Sequence, residues 1–220
     1  MITDPDALRV LCFGDSGTYG TCLREASTYG TATRDPDYVR LDADRRWTGV
    51  LQRMLGEGYD VIEEGLNGRT TEVDDEVRPG LNGRTYFVPC LLSHQPLDVV
   101  VVMLGGNDRK PSYGRTPQTI SDALGRYVDD VATHATDRHG QVPATMLVGP
   151  TLVDDSAPRY RDLVGDSVPP DLPARFRRLA TAMRRVAEDR GVAYLDAARV
   201  AHVGGDGVHL SMDSHPVSRS

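Results

Sequence analysis

The chain has 220 residues, 39% hydrophobic and 26% charged, which fits a globular protein with a single core and excludes a disordered chain. A formal net charge of −7 argues against a nucleic-acid partner. The N-terminal MITDPDALRV carries acids and no long apolar core, and no segment approaches the roughly 18 apolar residues of a membrane span, so neither a signal peptide nor a membrane partner is expected.

In chain order, Arg9–Phe13 is a short apolar run closed by Gly14, the pattern of a buried parallel strand. Asp15-Ser16-Gly17 follows as a polar elbow. The carboxyl end of a first strand is where open α/β sheets hold their sites, yet a serine there also suits a helix cap. Thr21–Arg46 is polar, without clean period, and reads as a long connection. Trp47, Val50, Leu51, Met54 and Leu55 have helical spacing, with Gly56 and Gly58 as stops. Asp60–Glu64 reads as a second strand ending at Gly65. The hexapeptide GLNGRT occurs at Gly65–Thr70 and again at Gly80–Thr85, but the flanks do not match, so no repeat architecture is inferred. A helix is expected through Tyr86–Ser93.

Leu97–Leu104 (LDVVVVML) is the strongest strand, and its consecutive β-branched residues require cover on both sheet faces. It ends at Gly105-Gly106-Asn107-Asp108. Thr116–Ala135 reads as a helix with Pro117 near its start, Thr145–Val148 as a fourth strand, Leu172–Asp189 as a helix and Val192–Leu195 as a fifth strand. Between them, Pro150–Pro173 is rich in proline and aspartate and reads as a loop or lid. The arginines of Arg175–Arg190 share a helical pattern with Leu179, Met183 and Val186, which makes them a solvated face. Alternating strands and helices, each strand closed by glycine, predict a five-stranded parallel sheet with helices on both faces.

If Ser16 is a nucleophile, it needs a base and a group to orient that base. Of six histidines, His94, His134 and His139 read as solvent-facing, while His202 and His215 have no acid at useful spacing before them. His209 has Asp206 three residues earlier, close enough in a turn to share one side. Oxyanion donors would be the backbone N–H of Ser16, the N–H of Gly65 and the side-chain amide of Asn107. Turn chemistry at Gly65 and capping at Asn107-Asp108 remain equal alternatives at this level. Cys12, Cys22 and Cys90 are odd in number and widely spaced, with no CxxC pair and no metal spacing with histidine, which fits reduced thiols in a cytoplasmic protein.

Four blocks in order, Gly14-Asp15-Ser16, Gly65, Gly105-Gly106-Asn107-Asp108 and Asp206-Gly207-Val208-His209, resemble the SGNH hydrolase (GDSL esterase/lipase) superfamily. LCFGDS, RRWTGVL, VIEEGLNGRTT, LNGRTY, PLDVVVVMLGGNDRK and DGVHLS are most similar to its bacterial arylesterase/acyltransferase branch. The resemblance implies one SGNH domain over residues 1–220, with a flavodoxin-like three-layer α/β/α sandwich. It implies Ser16 as nucleophile, His209 as base and Asp206 as its orienting acid. Ser16, Gly65 and Asn107 then form the oxyanion hole, and Asp15 and Asp108 support the turns. Neither metal nor cofactor is implied. The substrate is a small-molecule ester, with acyl transfer to an alcohol and a homo-oligomer as further expectations of the branch.

Two departures stand out. Gly17 follows the serine where the family usually has Leu or Ile, and DSHPVSRS after the histidine block carries no helical pattern where the family commonly has a final helix. A second GDS, at Gly165-Asp166-Ser167, lacks a preceding strand and is read as a decoy. Two other readings of the chain remain: a dedicated carbohydrate or natural-product deacetylase or transacylase with the same residues in the same roles, and a non-catalytic flavodoxin-like binding module.

Overall fold

A computed structural model describes residues 6–24, 30–165 and 171–215. Its centre is a five-stranded parallel sheet of β1 (Leu8–Gly14), β5 (Tyr59–Gly65), β6 (Val99–Met103), β7 (Ala144–Val148) and β8 (Ala193–Leu195), in the order β5-β1-β6-β7-β8. The chain moves outward in one direction to β5 and in the other to β6, so the topological switch falls at β1. Ligand crevices of doubly wound sheets open at this point. Gly14 is level with both Gly65 and Met103. The turns after β1, β5 and β6 therefore emerge side by side.

Alternation along the strands sorts the core into two layers. Leu11, Phe13, Val100 and Val102 face α3 (Gly83–His94), α4 (Pro117–His134) and α6 (Leu172–Asp189), meeting Phe87, Leu91, Leu124, Tyr127, Leu179 and Met183. Val10, Cys12 and Val101 face the other way, toward Trp47 and Leu51 of α2 (Trp47–Leu55). The valine run is covered on both faces, as its composition demands. α4 starts with Pro117 behind a Thr116/Thr119 capping box, which satisfies donors the first turn cannot pair internally. α3 begins three residues before the expected Tyr86, because Asn82 caps it by accepting from the Arg84 N–H at 3.1 Å.

The largest departure from the sequence reading lies in Thr21–Arg46. The described part of this connection holds β2 (Thr21–Leu23), β3 (Gly30–Ala32) and β4 (Tyr38–Leu41), an antiparallel sheet in the order β2-β4-β3. Strands of three or four residues are too short to show a period. Their attachment is long-range: Glu63 on β5 accepts from Arg40 at 2.7 Å, and from Arg46 and Thr48. The two GLNGRT copies also meet. Thr70 N–H donates to the Leu81 carbonyl at 2.9 Å and Gly83 N–H to that of Thr70 at 3.1 Å. One copy is a turn and the other a helix start, so equal sequence has unequal structure. No helix among the described residues is long and apolar enough to cross a membrane.

Candidate active site

The elbow after β1 is the start of a single helical turn, α1 (Ser16–Tyr19). Asp15, not Ser16, is its cap: the Asp15 carboxylate accepts from the Gly17 N–H at 3.1 Å. Ser16 is thus the first helical residue, and among the described residues its hydroxyl has no hydrogen-bond partner. Gly20, at φ 85°, closes the turn in the left-handed region that glycine enters without strain. An ideal Cβ on Gly17 would lie 3.4 Å from Met103 and 3.8 Å from Leu210. Those two side chains occupy the neighbourhood of the apolar residue that the family places there.

Gly65 closes β5 directly against this turn. A Cβ there would stand 2.2 Å from the Tyr19 nitrogen and 2.6 Å from the Thr18 carbonyl carbon, so the close approach requires glycine. After β6, Asn107 opens a one-turn 3-10 helix, Asn107–Arg109. Its amide donates to the Arg69 carbonyl at 3.1 Å and makes a longer contact of 3.4 Å with Asp15. Asp108 is fully buried and accepts from the Thr71 N–H at 3.0 Å and the Thr71 hydroxyl at 2.5 Å. Neither residue caps a helix.

The fourth block folds back over the same end of the sheet. Asp206 is fully buried and the His209 side chain keeps 15% of its surface exposed; His209 Nδ1 lies 2.8 Å from Asp206 Oδ2, while Asp206 Oδ1 accepts from the N–H groups of Val208 and His209 at 2.9 Å. Leu210, the residue after His209, has its Cδ1 3.8 Å from where a Cβ on Gly17 would stand, and the His209 charge acts on the Asp15 carboxyl, so the dyad lies on the elbow's side of the sheet; no hydrogen bond joins His209 to Ser16. Hydrogen bonds of this kind often tighten only when substrate is bound.

The electrostatics separate the carboxyl groups. Burial pushes Asp206 upward, but the His209 hydrogen bond and charge, with the two amides, outweigh it and hold the carboxyl below its ordinary range. Asp15 and Asp108 are raised, chiefly by burial. Because Asp206 stays ionised and can only accept, the proton between the two residues belongs on His209 Nδ1, which leaves Nε2 as a base.

Sequence reasoning missed several residues that hold this arrangement. Arg69 is buried, donates to the Gly14 carbonyl at 2.9 Å and to that of Glu64 at 2.5 Å, and stacks on Phe13 at 4.0 Å. It joins the ends of β1 and β5 while its own carbonyl orients Asn107. Thr71 anchors Asp108, and Tyr127 donates to the Thr71 carbonyl. Tyr38 of β4 sets its ring edge-on to His209 at 5.2 Å. The sequence signal for Arg69 and Thr71 was the GLNGRTT string itself; Tyr38 and Tyr127 lie outside it.

The segment read as a loop or lid holds α5 (Tyr160–Val164) and the first residues of α6. It walls the histidine block: Asp154 N–H donates to the Gly207 carbonyl at 2.9 Å and Arg159 N–H to that of Gly205 at 3.1 Å. Arg159 also pairs with Asp37 at 2.6 Å, tying the wall to the small sheet. The decoy Ser167 lies outside the described residues. One histidine reading changes: His94, expected to face solvent, is half-buried with Nε2 2.9 Å from Glu64. His215, read as lacking an acid partner, is buried at 1% exposure.

The model of the GDSL-like lipase/acylhydrolase family matches residues 12–217. The chain is similar to the aryl esterase of M. smegmatis, with 35% identity, 96% of this chain and 94% of that one covered, and a TM-score of 0.80. It is also similar to Est24, a carbohydrate acetylesterase from Sinorhizobium meliloti, with 34% identity, the same coverage and a TM-score of 0.80. A further carbohydrate acetylesterase family member from Sinorhizobium meliloti is 30% identical, with 96% and 92% covered and a TM-score of 0.77. No curated protein matches the chain. The chain belongs to the GDSL-like lipase/acylhydrolase family, the SGNH ester hydrolases.

Proposed function

We propose that the protein is a serine esterase that cleaves short-chain acetyl and aryl esters through an acyl-enzyme on Ser16. The observation that carries this reading is the Asp206–His209 pair, bonded at 2.8 Å, with His209 near enough for its charge to act on Asp15 of the elbow that presents Ser16. His209 Nε2 takes the Ser16 proton as Oγ attacks the ester carbonyl, and returns it to the departing alcohol or phenol. Asp206 holds the ring and stabilises the imidazolium. The developing oxyanion is met by the N–H groups of Ser16 and Gly65 and by the Asn107 amide. One amide proton of Asn107 is held by Arg69; the other gives up only its 3.4 Å contact with Asp15. Each such donor contributes about 3–4 kcal/mol in related chemistry. Water then releases the acid, or an alcohol takes the acyl group by the same steps in reverse.

Ser16→Ala is expected to abolish hydrolysis of an activated acetyl ester, and an organophosphate serine probe is expected to label Ser16. Labelling of Ser167, or full activity in Ser16→Ala, overturns the assignment. No labelling of a folded protein favours the binding module. The product ratio in an ester panel with added alcohols reads the balance of hydrolysis and transfer.

A further inference from the structure

One cluster of donor atoms stands outside the ester site. Glu64 on β5 and Cys90 and His94 on α3 bring a carboxylate oxygen, a thiol sulfur and an imidazole nitrogen within 4.8 Å of one another. The linear sequence hides this grouping. Cys90 and His94 stand four apart, which a helix places on one face, and Glu64 arrives from a strand that pairs with β1 at Phe13. His94 Nε2 is already 2.9 Å from Glu64 Oε1. The Tyr86 hydroxyl lies 3.3 Å from both Glu64 oxygens and also hydrogen-bonds Cys90.

We propose that Glu64, Cys90 and His94 form a binding site for a zinc-class divalent ion, with water as the fourth ligand. A tetrahedral zinc with bonds of about 2.0–2.3 Å keeps its ligand atoms about 3.3–3.6 Å apart. Opening the His94–Glu64 contact by a few tenths of an ångström and drawing the thiol inward reaches that spacing. The donor set of one nitrogen, one sulfur and one oxygen matches a borderline metal and not calcium or magnesium. Glu64 stands on a paired strand, Cys90 and His94 stand in α3 just past its interior Pro89, and the Arg69 guanidinium holds the Glu64 carbonyl. Cys90 closes the site from the core, whereas Tyr86 at 41% exposure leaves a path from solvent.

On binding, the sulfur–metal bond forms as one ligand water leaves the ion and the thiol proton passes to solvent. Burial pushes the Cys90 thiol up to about 12, so it carries that proton until the ion displaces it. The ion would tie α3 to the end of β5, one residue before Gly65.

The test is titration of metal-free, full-length protein with cobalt(II) as a spectroscopic stand-in, followed by zinc. One equivalent of cobalt is expected to bind with a thiolate-to-metal charge-transfer absorption, and zinc to displace it. Cys90→Ser should remove the absorption, and His94→Ala should weaken zinc binding at least about tenfold. Zinc should raise the melting temperature of the wild type and not of His94→Ala. Ser16→Ala should leave the cobalt titration unchanged, which separates this proposal from the ester assignment. Stoichiometric cobalt without a thiolate band, or a band that survives Cys90→Ser, overturns it. Should Cys90→Ser fail to fold, unchanged zinc affinity in His94→Ala does the same.

Discussion

Gly65 shows how a single residue joins fold and chemistry. Its missing side chain lets the end of β5 touch the backbone of α1, and the atoms a Cβ would meet are main chain, which cannot swing aside. Gly65→Ala is therefore expected to cost about 3 kcal/mol or more, read as a lower urea midpoint, and to cut activity further by shifting the donor beside Ser16. Asp206 acts through His209. Asp206→Asn keeps the shape but can donate to the ring and hold the wrong tautomer, so kcat should fall about 10³- to 10⁴-fold with little change in KM. Asp108 has an oriented partner of its own in Thr71. Its burial explains why an acid follows Asn107 better than its position in the sequence could.

Among the elements, the small antiparallel sheet is held to the domain through Glu63. That carboxylate gathers Arg40, Arg46 and Thr48, and so joins β4, the start of α2 and β5. Arg46 is nearly buried, so Glu63→Gln leaves a charge without its counter-ion. A loss of about 1–3 kcal/mol is expected in denaturant unfolding, smaller than for a fully buried pair because Arg40 still reaches water. Since Tyr38 on β4 lies against His209, the same variant should lower kcat/KM for esters even at temperatures where the fold is intact. A variant that loses stability alone would mean that the small sheet does not position the dyad.

For the whole molecule, acid stability has an identifiable contributor. His215 is buried, and that burial, with the charges of His209 and Arg46, pulls its pKa from 6.5 down to about 4. Between those values the unfolded chain binds a proton that the folded chain refuses, so stability falls as pH drops from 6.5 toward 4 and is fully present above 6.5. The full effect is about 3 kcal/mol. His215→Leu should flatten the unfolding free energy across that window while leaving the slope above pH 7 unchanged.

The apolar run of Arg9–Phe13, the valine run and the helical periods of α2, α4 and α6 are local facts, and they sufficed for a five-stranded parallel sheet with helices on both faces. The four blocks were visible as motifs, because each comes after a strand and the strands run parallel, which puts the segments that follow them at one end of the sheet. Three things were decided only by the tertiary structure: the level register of Gly14, Gly65 and Met103, the sheet hidden in Thr21–Arg46, and the convergence of Arg69, Thr71 and Tyr38 on the site. Each depends on contacts between residues far apart in sequence, which no local period encodes. His94 is the plainest case. A polar residue at a helix end reads as solvated until the neighbouring strand brings Glu64 to meet it.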